Sequence, residues 1–367
     1  MIRHMILRNT LHRPVRTLIS ILAVAIEVAL VILVVGLVTG LLTESAKRTQ
    51  GVGADIMVQP PSASMLMAFS GAPMPISIAK RLQRLDYVQA VAPVLLQFNS
   101  IQGLEIVYGI DPASFRSVSG GFVYLEGHGL ENADDILVDD VYARARKVKV
   151  GQTVRLFGDH DFRVAGIVEH GKGARLFVLL SALQDLAGAK SKASIFYVKC
   201  DRSDHTAAAM SEMEQLLPSY QVRALKDFTS LMTSTNLPGL NAFISVMIGI
   251  AVAIGFLVIF LAMYTTIVER TREIGVLKSL GASKSYIIEI ILSETTLLCL
   301  GGIVVGVAIS YGARTAFMQL FPTLTIEILP KWVLYAALIA IGGGLLGASY
   351  PAWLASRKDP VEALSYE

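Results

Sequence analysis

Glu27 is the residue whose type and position most call for an explanation: a carboxylate in Ala-Ile-Glu-Val-Ala, well inside an apolar run. Insertion scales put a mid-span acidic residue at roughly 2.5 to 3.5 kcal/mol, so Glu27 is expected to face a helix-bundle interior or a cavity rather than lipid. Two roles fit it. Protonated, it can act as a packing element hydrogen-bonded to a neighbouring helix. Charged, it can bind a cationic or hydrogen-bonding group, or a metal centre such as haem iron, at a lateral substrate entry. A second candidate is the stretch 60–75, PPSASMLMAFSGAPMP, where Met65, Met67, Met74 and Phe69 offer adaptable apolar contact to a substrate or partner. Its Pro/Ser/Gly punctuation equally suits a connection whose methionines tuck against the adjoining domain. A third is 268–286, VERTREIGVLKSLGASKSY, which is expected to be helical over 271–280, with Ile274, Leu277 and Gly281 on one face. Such a helix can dock into a soluble partner's groove or lie on lipid headgroups.

Motifs for catalysis are missing from the sequence. It holds no G-x-x-x-x-G-K-[ST] phosphate loop, no H-E-x-x-H, no C-x-x-C and no G-x-S-x-G. Gly342, Gly344 and Gly347 satisfy G-x-G-x-x-G but lie in an apolar helical run, without the strand and turn a dinucleotide needs. The chain is read as non-catalytic, with no metal site.

The elements that must position these residues are mostly membrane helices. The chain of 367 residues is 53% hydrophobic and 17% charged, with mean hydropathy +0.58, more apolar surface than one soluble core needs. Its net charge of +3 and scattered basic residues exclude a nucleic-acid partner. A bilayer crossing takes about 20 apolar residues. Four stretches meet that length, at 18–42, 240–267, 287–312 and 333–354. The first is too long for a signal peptide's apolar region and lacks an A-x-A site, so it is read as a retained anchor. Basic residues gather in 1–17, in 268–286 and in the tail 355–367, which places both termini and the second–third turn in the cytoplasm. Residues 43–239 then form an extracytoplasmic α+β domain and 313–332 a short outer connection. Strands are expected at 54–59, 104–110, 153–157, 162–168, 176–179 and 194–199, with a hairpin at Gly158-Asp159, and helices at 78–85, 140–146 and 205–217. The pairs Gly36/Gly40, Gly302/Gly306 and Gly343/Gly347 are G-x-x-x-G spacings that suit close helix packing, including a dimer contact. Cys200 and Cys299 fall in different phases and cannot pair.

The string R-E-I-G-V-L-K-S-L-G-A-S at Arg272 to Ser283 resembles the coupling-helix signature of ABC transporter permeases of the FtsX/MacB superfamily, also called type VII. The tail agrees, with Pro351-Ala352, Ala355-Ser356-Arg357 and Asp359-Pro360-Val361-Glu362-Ala363-Leu364 resembling its C-terminal signature, although Ser365 stands where arginine is usual. Leu7-Arg8-Asn9 through Arg16-Thr17-Leu18 resembles its N-terminal amphipathic segment. Val107-Tyr108-Gly109-Ile110-Asp111-Pro112 resembles a motif of its outer domain.

This resemblance implies a four-helix membrane protein with an inserted MacB-like α+β domain, acting as the permease of an ATP-driven machine in the cytoplasmic (inner) membrane. It implies two copies of a separate ATPase that binds ATP and Mg, a second permease chain in a homo- or heterodimer, contact with membrane lipid, and a periplasmic adaptor as a further candidate partner. Arg272, Glu273, Ile274, Leu277, Lys278, Gly281 and Ala282 carry over as the ATPase-coupling segment. The implied work is export or extraction of an amphipathic substrate (lipid, lipoprotein, peptide, antibiotic or haem-like) by mechanotransmission. The alternative is an FtsX-like signal transmitter that regulates an extracytoplasmic protein without transport.

Overall fold

The computed structural model describes residues 14–61, 73–99, 105–227 and 238–358. It divides into two compact units, one of residues up to Thr39, Gly239–Leu320 and those from Ile326 on, the other of Gly40–Pro238 with Phe321–Thr325.

Helix α1 (Pro14–Gln50) is the first described element and contributes residues to both units; Lys47 and Arg48 in its last turn complement the helix dipole. It stops where Gly51, against whose backbone Gly171 O leaves no room for a β-carbon, leads into Gly53 at φ +82°.

The second of these units is a mixed sheet flanked by short helices. Its elements in order are β1 (Ile56–Gln59), β2 (Met74–Pro75), α2 (Ser77–Leu82), β3 (Val88–Asn99), β4 (Glu105–Ile110), α3 (Pro112–Ser119), β5 (Tyr124–Gly127) and β6 (Asp135–Asp139). There follow α4 (Asp140–Arg146), β7 (Thr153–Leu156), β8 (His160–Val168), β9 (Leu176–Leu179), α5 (Leu180–Leu186), β10 (Lys192–Ala193), β11 (Ile195–Cys200), α6 (Thr206–Leu216) and β12 (Gln221–Ala224). The main sheet has the order β12-β1-β11-β3-β4-β9-β6-β8-β5, with β7 on β8; β4–β9 and β6–β8 are parallel and the rest antiparallel. Alternation along β11 shows why it folds this way. Ile195 and Tyr197 enter one apolar cluster with Phe115 and Val118 of α3, while Phe196 and Val198 enter another with Ala209 and Met213 of α6. Val154↔Phe162 pairing makes β7–β8 the expected hairpin, turning through Phe157 at φ +53° and Gly158 at φ +93°.

The remaining helices are α7 (Pro238–Glu269), α8 (Thr271–Ser279), α9 (Lys284–Leu320) and α10 (Pro330–Arg357). α1, α7, α9 and α10 are each long and apolar enough to cross a membrane. They run past the spans read from the sequence, because bilayer thickness limits the apolar window and not the helix. α9 continues through Ala-Arg-Thr-Ala-Phe-Met-Gln-Leu, mostly good helix formers, so the connection to α10 is shorter than the expected 313–332.

Candidate functional site

The segment joining α7 to α9 is built from local signals. Arg270 leaves the helical region (φ −104°, ψ +13°) and separates α7 from α8. α8 closes with a Schellman arrangement: Gly281 at φ +94° donates to Lys278 O (3.0 Å) and Ala282 donates to Leu277 O (3.0 Å). Leu277 and Ala282 pack on the same apolar cluster, the hydrophobic contact that accompanies such a cap. Ser283 then caps α9, its Oγ accepting from Tyr286 N–H at 3.2 Å.

Three ties fix α8 to the membrane helices. The Arg270 Nε–H donates to Glu273 Oε2 at 2.8 Å and its Nη1–H to Glu294 Oε2 at 3.2 Å, linking α8 to α9. The Lys278 ammonium donates to the carbonyls of Ser356 (3.0 Å) and Lys358, at the end of α10 where unpaired carbonyls and the helix dipole favour a cation. Ile274 is buried and Leu277 half-buried, both against a cluster that includes Met263, Ile267, Ile287 and Ile291. A cavity of about 30 Å³, room for about one water, lies beneath them beside Arg270 and Glu294.

This arrangement corrects the expected orientation of α8. Ile274 and Leu277 were to form the face offered to a partner, but the structure turns them inward, where burial on the bundle's own apolar cluster is available. The outward face consists of Arg272, Glu273, Val276, Ser279, Leu280 and Gly281, with Leu280 80% exposed. Arg272, Val276 and Leu280 follow one another at i, i+4, i+8, a single stripe along the helix.

Comparison with known proteins identifies the setting. Residues 17–216 match the family model described as MacB-like periplasmic core domain, more than half of the chain, and residues 245–360 match FtsX-like permease C-terminal. The chain belongs to the MacB- and FtsX-like family of ABC transporter permeases. Among its relatives, macrolide export ATP-binding/permease protein MacB of Hahella chejuensis is 24% identical over 316 residues, 78% of this chain and 47% of that one. The uncharacterized ABC transporter permease YknZ of Bacillus subtilis is 28% identical over 234 residues, 59% of this chain and 55% of that one. The permease thus spans about half the length of the curated relatives it matches. The periplasmic region of MacB from Actinobacillus actinomycetemcomitans aligns over 50% of this chain and 94% of its own at 17% identity, with a TM-score of 0.39.

Within the permease, Glu27 is 5% exposed and lies against α7, where its carboxylate occupies the space a β-carbon of Gly255 would need. Its Oε1 has no hydrogen-bond partner. Gly302 and Gly306 of α9 lie against α1, where a β-carbon at Gly306 would stand 2.7 Å from Ala25 O. A β-carbon at Gly347 would likewise stand 2.8 Å from Phe256 O of α7, while one at Gly343 would make only ordinary contact with Val252. Gly36 faces the α9–α10 connection rather than a helix, its carbonyl accepting from Glu327 N–H at 2.9 Å, and a β-carbon there would stand 3.1 Å from Glu327 O; Gly40 is buried. Met74 is buried in β2, paired with Ala193 and packed in the cluster under α2 and α6, so it is a core residue; Met65, Met67 and Phe69 lie outside the described residues. Cys200 and Cys299 are both free and buried.

The second unit holds a charged cluster that sequence reasoning missed. Arg175 pairs with Asp139 (3.4 Å) and with Glu44 of α1 (3.7 Å). Asp139 caps α4 by accepting from Tyr142 N–H at 2.6 Å. Burial pushes the Asp139 carboxyl up to about 6 against the opposing pull of Arg175, and burial lowers the Arg48 guanidinium beside it. Asp-Asp at 139–140 after an apolar run was a readable capping signal; the distant Arg175 left none. The Arg270–Glu294 pair had a better one, since a carboxylate near the start of an apolar span calls for a counter-charge.

Proposed function

We propose that this chain is the membrane-spanning subunit of an ABC transporter, crossing the membrane four times with both termini cytoplasmic. A separate ATPase, two copies to a permease dimer, docks on the outward face of α8 and drives export or extraction of an amphipathic substrate through motion of the outer domain. The observation that carries this reading is the placement of Leu280: a large apolar residue left exposed beside Val276, Arg272 and Glu273, on a helix held from behind by Lys278 and Arg270. A short helix with its own apolar face already buried, and a second apolar stripe outside, suits a protein groove. ATP and Mg belong to the ATPase. The YknZ relative, named as a permease alone, favours a separate chain.

Glu27 supports transport over signalling. A packing role asks for a hydrogen bond to a neighbouring helix, and Oε1 makes none. A carboxylate so placed suits a substrate that brings a cationic or hydrogen-bonding group into the membrane.

Leu280→Asp puts a charge into the docked groove. Co-purification of the cognate ATPase with the tagged permease should be lost while the permease itself inserts and purifies normally. Undiminished ATPase recovery, with ATP hydrolysis still altered by the permease, removes the docking role.

A further inference from the structure

Arg270 belongs to neither membrane helix nor docking helix. It stands at the single non-helical position between α7 and α8, and its guanidinium reaches in two directions, to Glu273 at 2.8 Å and to Glu294 at 3.2 Å. The two carboxylates differ in surroundings: the Glu273 side chain is 62% exposed on the outward face of α8, that of Glu294 11% exposed on α9. An exposed pair contributes little, because water competes for both partners. A buried pair is different. Removing either member strands the other charge in a poorly solvated place. Arg270 is therefore anchored at Glu294 and only lightly held at Glu273.

α8 has few other means of keeping its angle to α9. Among the described residues, Lys278 fastens its far end to α10, and the near end is held by the turn at Arg270 and the contacts of Thr271 and Ile274. We propose that Arg270 is the positioning residue of the coupling segment. Through its bond to Glu294 it fixes the pitch of α8 on α9, so that displacement of α8 is passed into α9 as a unit. This rests on the docking reading above for its functional consequence, though not for its geometry.

The test uses the full chain with Cys200 and Cys299 replaced by alanine and nitroxide labels at Ser279→Cys on α8 and Glu289→Cys on α9. Arg270→Gln and Glu294→Gln should each broaden the label–label distance distribution, and Glu273→Gln should leave it as in the parent. The exchange Arg270→Glu with Glu294→Arg should narrow it again, an outcome a general loss of folding does not produce. In complex with the ATPase, the two Gln variants should still co-purify with it while its response to the permease falls about fivefold or more, a size typical of coupling between sites. Unchanged distributions in both single variants overturn the proposal, as does an exchange variant no narrower than the singles. The distance measurement needs no ATPase, so it decides the role of Arg270 even where Leu280→Asp has removed the docking reading.

Discussion

Glu27 in α1 and Gly255 in α7 share one volume: the carboxylate lies where any larger residue at 255 would place its first carbon. Glycine at 255 is thus explained by the acid opposite rather than by backbone conformation. Gly255→Ala should be tolerated, because the obstructing atoms are the far end of a side chain that can rotate. Gly255→Leu should overpack the seam and cost about 1–3 kcal/mol, read as a lower thermal midpoint of the solubilised permease. Glu27→Ala in the same chain should recover part of that loss. Equal midpoints for the Leu variant and the parent would show that α1 and α7 do not meet there.

Glu27→Gln keeps the shape and removes the charge. With Oε1 unpartnered, no hydrogen-bond network depends on the carboxylate, so assembly and basal ATP hydrolysis should persist. Substrate-stimulated hydrolysis or transport should fall about tenfold or more, the size of losing one charge-assisted contact. Full transport by this variant leaves Glu27 as a packing residue.

Much of this was legible in the sequence, for reasons that can be named. Four apolar runs sufficed for the long helices, and β-branched runs bounded by turn residues for β4, β7, β8, β9 and β11. β3 escaped because Pro93 sits in its middle, and proline is normally confined to edges. Here β3 is central, pairing β11 at Pro93↔Phe196, and Ser194 helps its neighbours: its N–H donates to Val94 O and its Oγ accepts from Leu96 N–H. The failure at α8 was of another kind. Ile274 with Leu277, and Val276 with Leu280, are both apolar pairs at helical spacing. Which one turns inward is settled by Arg270 and Lys278, whose partners lie 24 and 78 or more residues away.

Leu277→Asp follows from that orientation. A carboxylate there meets the bundle's apolar cluster rather than a partner, so it should destabilise the permease itself by about 3 kcal/mol. Thermal unfolding of the permease purified without ATPase reads the effect. A variant as stable as the parent would place Leu277 on the outer face after all.

Topology is open to labelling. Single cysteines at Ser283 and Asp159, both exposed, in a chain lacking Cys200 and Cys299, should differ toward a membrane-impermeant thiol reagent on intact cells. The one at 159 should label and the one at 283 should not. Labelling of both contradicts an outer domain paired with a cytoplasmic α8.

Asp139 makes the stability of the sheet-containing unit respond to pH in a direction opposite to most carboxylates. Its side chain is 1% exposed, and burial outweighs the attraction of Arg175, so its folded pKa stands at about 6 against an ordinary 3.8. The folded state therefore binds the proton more tightly than the unfolded one. Its contribution is fully present below pH 3.8, declines as pH rises through about 6, and is flat above that. Asp135 and Asp140, lowered by hydrogen bonds and cationic neighbours, act the other way, so the bare profile of the permease mixes opposing terms. Asp139→Asn isolates the one of interest, because asparagine can still cap α4 and has no proton to bind. Between pH 8 and pH 5 the parent should gain about 1 kcal/mol on the Asn variant, read from paired denaturation midpoints of the full chain at each pH. The Asn variant should be relatively best above pH 7, where the parent carries a buried charge that Arg175, the Tyr142 N–H and Arg48 offset only in part. A difference between the two that stays constant across this range, or that favours the parent more as pH rises, would mean that Arg175 and not burial sets the charge of Asp139.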